Sequence, residues 1–131
     1  MNFDDVIKAI KSILERNENC SIDVNKDFSN YWFNGDNNET ELRISMLADF
    51  QITVSRINLV NKRQGCFTAI MNVLLDFAKT NKIKRILAQC VLTEEMAAFC
   101  HKNGFIPTPY CVQMDTFLSG DYVLTIVERE I

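Results

Sequence analysis

Residues 61–71, NKRQGCFTAIM, place two cations and a glutamine before a glycine, and the glycine before an apolar run. The run continues at helical spacing through Phe67, Ile70, Met71, Leu74, Leu75 and Ala78, which predicts a helix over roughly 66–80 that ends at Asn81-Lys82. The first amides of such a helix have no intrahelical partner, and with the helix dipole they favour an anion. Gly65 lets a bound group approach the backbone closely. Lys62 and Arg63 add charge, and a guanidinium fork matches phosphate geometry. Taken alone, the stretch also reads as a plain strand–turn–helix junction with solvated cations.

The residues before it narrow the choice. Residues 51–60 read as a strand, but Ile52 and Val54 set one parity while Ile57 and Leu59 set the other. Side chains alternate with a period of two, so a regular strand cannot put all four on one face. Either both faces are buried, or one extra residue near Ser55–Arg56 forms a β-bulge.

After the helix, residues 83–91 (IKRILAQCV) read as a strand, apolar on both faces from Ile86 onward, as in a buried parallel strand. Thr93 suits a helix N-cap, followed by Glu94 and Glu95 at the positive helix end. A short helix then runs to Asn103, with Gly104 as its terminal glycine. The resulting strand–helix–strand unit should bring its two strands parallel by a right-handed crossover.

The flanks complete an α+β chain with a mixed sheet. Phe3, Val6, Ile7, Ile10, Ile13 and Leu14 mark an amphipathic helix over 3–16. Residues 17–27 are polar and ambiguous. Residues 28–33 (FSNYWF) read as a strand, NGDNN at 34–38 as a turn, and 40–47 as a half-buried antiparallel strand with Leu42, Ile44 and Met46 on one side. After FIPTP at 105–109, residues 110–117 and 122–128 read as a hairpin turning at LSGD, 118–121. There are no repeats and no linker, so one domain over 1–131 is expected.

Composition bounds the function. The chain has 131 residues, 47% hydrophobic and 24% charged, which is a globular balance. A net charge of −3 argues against a general nucleic-acid binder. No apolar run approaches the roughly 20 residues of a membrane span, so no membrane partner is expected. Asp4 and Asp5 stand where a secretory leader would carry cations. Cys20, Cys66, Cys90, Cys100 and Cys111 are widely spaced, as suits free thiols in a reducing cytoplasm. His101 is the one histidine, and no zinc spacing is present, so no metal is expected.

Residues 51–105 resemble the central part of the GNAT superfamily of acyl-CoA N-acetyltransferases. Its signature, Arg/Gln-x-x-Gly-x-Gly/Ala between a bulged strand and a helix, falls on Lys62-Arg63-Gln64-Gly65-Cys66-Phe67. Its later Asn-x-x-Ala-x-x-x-Tyr-x-x-x-Gly-Phe block falls on TEEMAAFCHKNGF at 93–105, with Gly104-Phe105 matching. The resemblance implies a mixed sheet, mostly antiparallel, with the bulged strand splayed from a parallel neighbour and helices on both faces. It favours the bulge as the answer to the parity slip. It implies acetyl-CoA as co-substrate, with no metal. Ser55, Arg56 and Ile57 would flank the pantetheine, and Lys62, Arg63, Gln64, Gly65, Cys66, Phe67 and Thr68 would hold the pyrophosphate. Thr93, at the family's Asn, would face the cofactor or simply cap its helix. An acceptor amine of a small molecule or protein would attack the thioester directly.

The sequence departs from the family at telling places. Phe67 occupies the last signature position, where glycine or alanine is common, and it also fits the core face of its helix. A glutamate common at the start of the bulged strand is Gln51, whose amide cannot serve as a base at neutral pH. The tyrosine that often protonates the leaving thiolate falls on Cys100; a thiol with an ordinary pKa near 8.5 could donate a proton, and a core cysteine is the alternative. Tyr110, just past the prolines, is the second candidate donor. Cys100 and His101 do not form a dyad, because adjacent helical residues point about 100° apart. Two functions follow: an acetyltransferase, or a non-catalytic GNAT-like binding or regulatory module, as a dimer or otherwise.

Overall fold

The computed structural model describes residues 2–61 and 65–126, and all of Cys90 but its side chain. Lys62, Arg63 and Gln64 lie outside the described residues. The elements run α1 (Phe3–Glu18), β1 (Ile22–Asp27), β2 (Asn30–Gly35), β3 (Glu41–Leu47), β4 (Gln51–Asn58), α2 (Cys66–Thr80), β5 (Arg85–Val91), α3 (Glu94–Lys102), β6 (Ile106–Pro107), β7 (Val112–Gln113) and β8 (Leu118–Thr125). The sheet order is β1-β2-β3-β4-β5-β8-β6, with β7 paired to β8. Among the described residues only β4 and β5 pair in parallel; the other pairs are antiparallel. This is the expected α+β class and mixed sheet.

One set of side chains makes the core face of the sheet. Phe33, Leu42, Ile44, Ile52, Val54, Ile86, Ala88 and Tyr122 are all buried, and they stand opposite one another across paired strands. Helix α1 lays Val6, Ile7, Ile10 and Leu14 on this face, and Phe3 bridges Tyr31 of β2 and Phe77 of α2 at 5.4 and 5.2 Å between ring centroids. Helix α3 reaches the same face, since His101 meets the ring of Tyr122 edge-on at 5.8 Å.

All three helices therefore share one face, and the expectation of helices on both faces is corrected. The reason is handedness. Strands β4, β5 and β6 run parallel in spatial order across the sheet, so two right-handed crossovers in the same direction put α2 and α3 on the same side. The opposite face, carrying Trp32, Arg43, Ser45, Thr53 and Ser55, is left without a helix among the described residues.

Local differences have local causes. β1, ambiguous in sequence, forms as an edge strand in which only Ile22 and Val24 alternate as apolar residues. The last hairpin turns at 114–117, where the Met114 amide donates to the Phe117 carbonyl at 2.8 Å, so LSGD lies inside β8 instead of making the turn. Gly120 marks a close approach there: a Cβ would stand 2.8 Å from Cys111 Sγ.

Candidate functional site

The parity slip in β4 is a bulge. Glu41 pairs with Asn58 and Arg43 with Ser55, so two steps along β3 match three along β4. Arg56 sits in the extra position with φ of 50°. The bulge turns Ile57 and Leu59 toward a new environment, and the parallel pairing of β4 with β5 ends just before it, at Val54–Ala88. On the other side of the gap, β5 carries its own irregularity against β8 between Ala88 and Val91. Two strands that pair for four residues and then both deviate must part.

A cavity of about 240 Å³ occupies the opening. It is lined by Ile57, Asn58 and Leu59 of the departing strand, Phe67 of α2, and Leu92, Thr93, Glu95 and Met96 leading into α3. Its lining is mostly apolar, and it is slightly smaller than the ~300 Å³ at which drug-sized ligand pockets begin. It suits a narrow chain more than a bulky ring.

The helix at the mouth begins on Gly65, with φ of 68° and ψ of 21°. A Cβ there would meet nothing within 4 Å, so the backbone angle is the reason for glycine at this position. Among the described residues no side chain caps α2, and its first turn holds no acidic residue, which leaves that turn's amides available to an anion.

The approach to that helix is anchored by a carboxylate. Glu18 ends the apolar stripe of α1 and is itself 6% exposed. It accepts hydrogen bonds from Thr40 Oγ1 at 2.7 Å, from the Val60 and Asn61 amides at 2.7 and 2.9 Å, and from Asn17 Nδ2 at 3.1 Å. Asn17 and Asn61 also exchange side-chain–backbone bonds at 2.9 and 2.8 Å. Burial pushes the Glu18 carboxyl up, but the bonds from Thr40, Asn61, Val60 and Asn17 outweigh it and hold the pKa below the ordinary value. Sequence reasoning missed this residue. The available signal was a glutamate four residues past Leu14, in phase with the apolar stripe.

The expected site residues divide by position. Ile57, Phe67 and Thr93 line the cavity. Thr93 also caps α3, accepting from the Met96 amide at 3.2 Å. Phe67 packs edge-on against Phe99 at 5.4 Å, so it forms a wall of the opening and leaves space beside it. Ser55 and Arg56 lie at the bulge. Cys66 faces α1, beside Ile13, Asn17 and Asn61, and Thr68 faces the groove between α2 and α3. Asn58, Leu59, Leu92, Glu95 and Met96 are cavity residues that the sequence did not single out.

The two candidate proton donors are not brought to the cavity. Cys100 is fully buried, and burial pushes its thiol up to about 12. That makes it a core residue, inert as an acid near neutrality. Tyr110 is 91% exposed and does not line the opening. Gln51 is tied by its amide: it accepts from Arg85 Nε at 2.6 Å and donates to Thr53 Oγ1 at 2.8 Å. Among the described residues no group of three or more His, Cys, Asp or Glu side chains could hold a metal, and no helix is long and apolar enough to cross a membrane.

A mixed sheet whose one parallel pair parts at a bulge, with an uncapped helix at the mouth, is the fold of the GNAT acetyltransferases. Solved structures of that group superpose on the chain. The ribosomal-protein-S18-alanine N-acetyltransferase of Escherichia coli aligns over 99% of this chain and 93% of its own, with TM-score 0.55 and 14% identity. A putative N-acetyltransferase from Lactobacillus plantarum aligns over 93% and 89%, with TM-score 0.50 and 14% identity. A probable GNAT-family acetyltransferase from Chromobacterium violaceum gives TM-score 0.49 and 13% identity over 76% of this chain, which spans 60% of that longer protein. At these identities the likeness is one of fold. No family model matches the sequence, and no curated protein does.

Proposed function

We propose that the protein is an acetyl-CoA-dependent N-acetyltransferase that moves an acetyl group to an amine by direct attack on the thioester. The observation that carries this reading is the parting of β4 from β5 at the Arg56 bulge, with an apolar cavity of about 240 Å³ in the gap. The pantetheine arm would lie beside Ile57 and Leu59 and meet Phe67 and Thr93. The pyrophosphate would rest on the amides of Gly65 to Thr68, assisted by Lys62, Arg63 and Gln64. Among the described residues no histidine, cysteine or tyrosine lines the cavity and Glu95 is its one carboxyl group, so the rate would come mainly from positioning the thioester and the amine, with water carrying protons. Calorimetry with acetyl-CoA tests the reading. Binding that weakens strongly in Arg63→Glu supports it, and no heat at millimolar acetyl-CoA sinks it.

A second reading, a non-catalytic binding module, is favoured by one set of observations. Cys100 is sealed in the core, Tyr110 is exposed and does not line the cavity, and the Gln51 amide is occupied by Arg85 and Thr53. It predicts that acetyl-CoA binds with no thiol release toward any amine. Steady release would refute it.

A further inference from the structure

The uncovered face of the sheet holds a second arrangement, at the same splay but on the opposite side from the cavity. Alternation along the strands puts Trp32, Arg43 and Ser55 in one row across β2, β3 and β4, since Trp32 pairs with Arg43 and Arg43 with Ser55. The bulge turns Arg56 to this side as well. The Arg43 guanidinium lies 5.0 Å from the centre of the Trp32 ring, and the Arg56 guanidinium 5.8 Å from the same ring. Indole attracts each cation, but two like charges over one ring repel each other. Glu41 offsets only one of them, reaching Arg56 Nη1 at 3.9 Å. Arg43 has no carboxylate partner among the described residues.

Two polar atoms mark the row as incomplete. Arg43 Nε and the Ser55 hydroxyl are the two buried side-chain polar atoms without a hydrogen-bond partner among the described residues, and Ser55 is 4% exposed. They stand on paired residues of adjacent strands. A buried donor left unpaired is costly, so two of them side by side beneath an excess of positive charge define a place for an anion. A planar carboxylate answers the geometry: one oxygen reaches the edge of a guanidinium and the other a hydroxyl.

We propose that Arg43, Arg56 and Ser55, beside Trp32, form a carboxylate-binding site on the open face of the sheet. Ser55 follows directly on Val54, the last β4 residue paired with β5, so a ligand held there lies next to the gap. Resting on the transferase reading, the site assigns the acceptor class: a small amine that carries a carboxylate, an amino acid or a close analogue, with the acid group held by the arginines and the amine directed into the gap. The cofactor would approach from the helical side and the acceptor from the open side.

Trp32 is the single tryptophan, so its emission reads the site without any turnover. The experiment titrates glycine, L-glutamate and L-phenylalanine, each beside its α-amide, and inorganic phosphate, all without acetyl-CoA. Saturable changes with the acids and none with the amides are expected. Arg43→Lys keeps the charge and the stem but loses the fork and Nε, and should weaken acid binding about tenfold or more, as should Ser55→Ala more mildly. Circular dichroism confirms that both variants fold. Equal responses to acid and amide, or a response to phosphate alone, overturn the proposal. If the acids bind while acetyl-CoA does not, only the transferase reading falls. If acetyl-CoA binds and the acids do not, only the carboxylate site falls.

Discussion

Glu18 at the end of α1 accepts the backbone amides of Val60 and Asn61 at 2.7 and 2.9 Å, so the first helix holds the chain where it leaves β4 for the signature turn. Removing the carboxylate takes the acceptor from four donors, two of them main-chain, and among the described residues only Asn17 keeps another acceptor, the Asn61 carbonyl. Glu18→Ala should cost about 2–4 kcal/mol of stability, read by urea denaturation. Glu18→Gln keeps the shape and should cost less.

The pH dependence of that stability has a definite sign. The Glu18 pKa is lower folded than unfolded, so its contribution is fully present above the ordinary value of 4.5 and is lost as pH falls through the lowered one. Denaturation midpoints measured from pH 6 down to pH 3 should fall more steeply for the natural chain than for Glu18→Gln. Parallel curves would remove Glu18 from the account.

Gly65→Ala separates conformation from space. Its new methyl meets nothing within 4 Å, so the whole cost is that of holding a side chain at φ of 68°, about 1–2 kcal/mol. Acetyl-CoA affinity should fall with it, because the first amides of α2 would turn. Unchanged stability together with unchanged affinity would count against the turn as described.

Thiol labelling should follow burial. Burial, then the Glu18 charge, pushes Cys66 up to about 11, and burial alone pushes Cys100 to about 12. The thiolate is the reactive form, so at pH 8 iodoacetamide should modify Cys20 and Cys111, both partly exposed, well before Cys66 or Cys100. Mass spectrometry of tryptic peptides gives the order. Early labelling of Cys100 would return it to the cavity as a candidate acid.

Much of the scaffold was legible because its signals are local. The helix over 66–80 was bounded by a glycine and an Asn-Lys pair, and it forms over Cys66–Thr80. The parity conflict between Val54 and Ile57 could be seen without coordinates, and the bulge resolves it. The hairpin boundary differs from the sequence expectation because Gly120, which reads as turn chemistry, instead answers a neighbouring sulfur. The site was harder. Leu92 and Met96 enter the cavity through the meeting of β4 with the start of α3, and sequence spacing carries no record of that encounter. Cys100 matched a motif position, but a motif does not say which side of a helix faces the core.

The bulge at Arg56 also makes strand length a constraint of its own. Everything beyond it, from Ile57 to the turn, owes its orientation to one supernumerary residue. Deleting that residue would leave Ile57 one step after Ser55 and still on the Val54 face, but in a regular strand without the bend, so β4 would run on beside β5 and the gap would close. An insertion of one residue in the polar turn at 36–39 would leave the sheet unchanged. The chain should thus tolerate length variation in its loops and almost none between Val54 and Asn58, a pattern that a library of single-residue insertions and deletions, screened for soluble folded protein, would display.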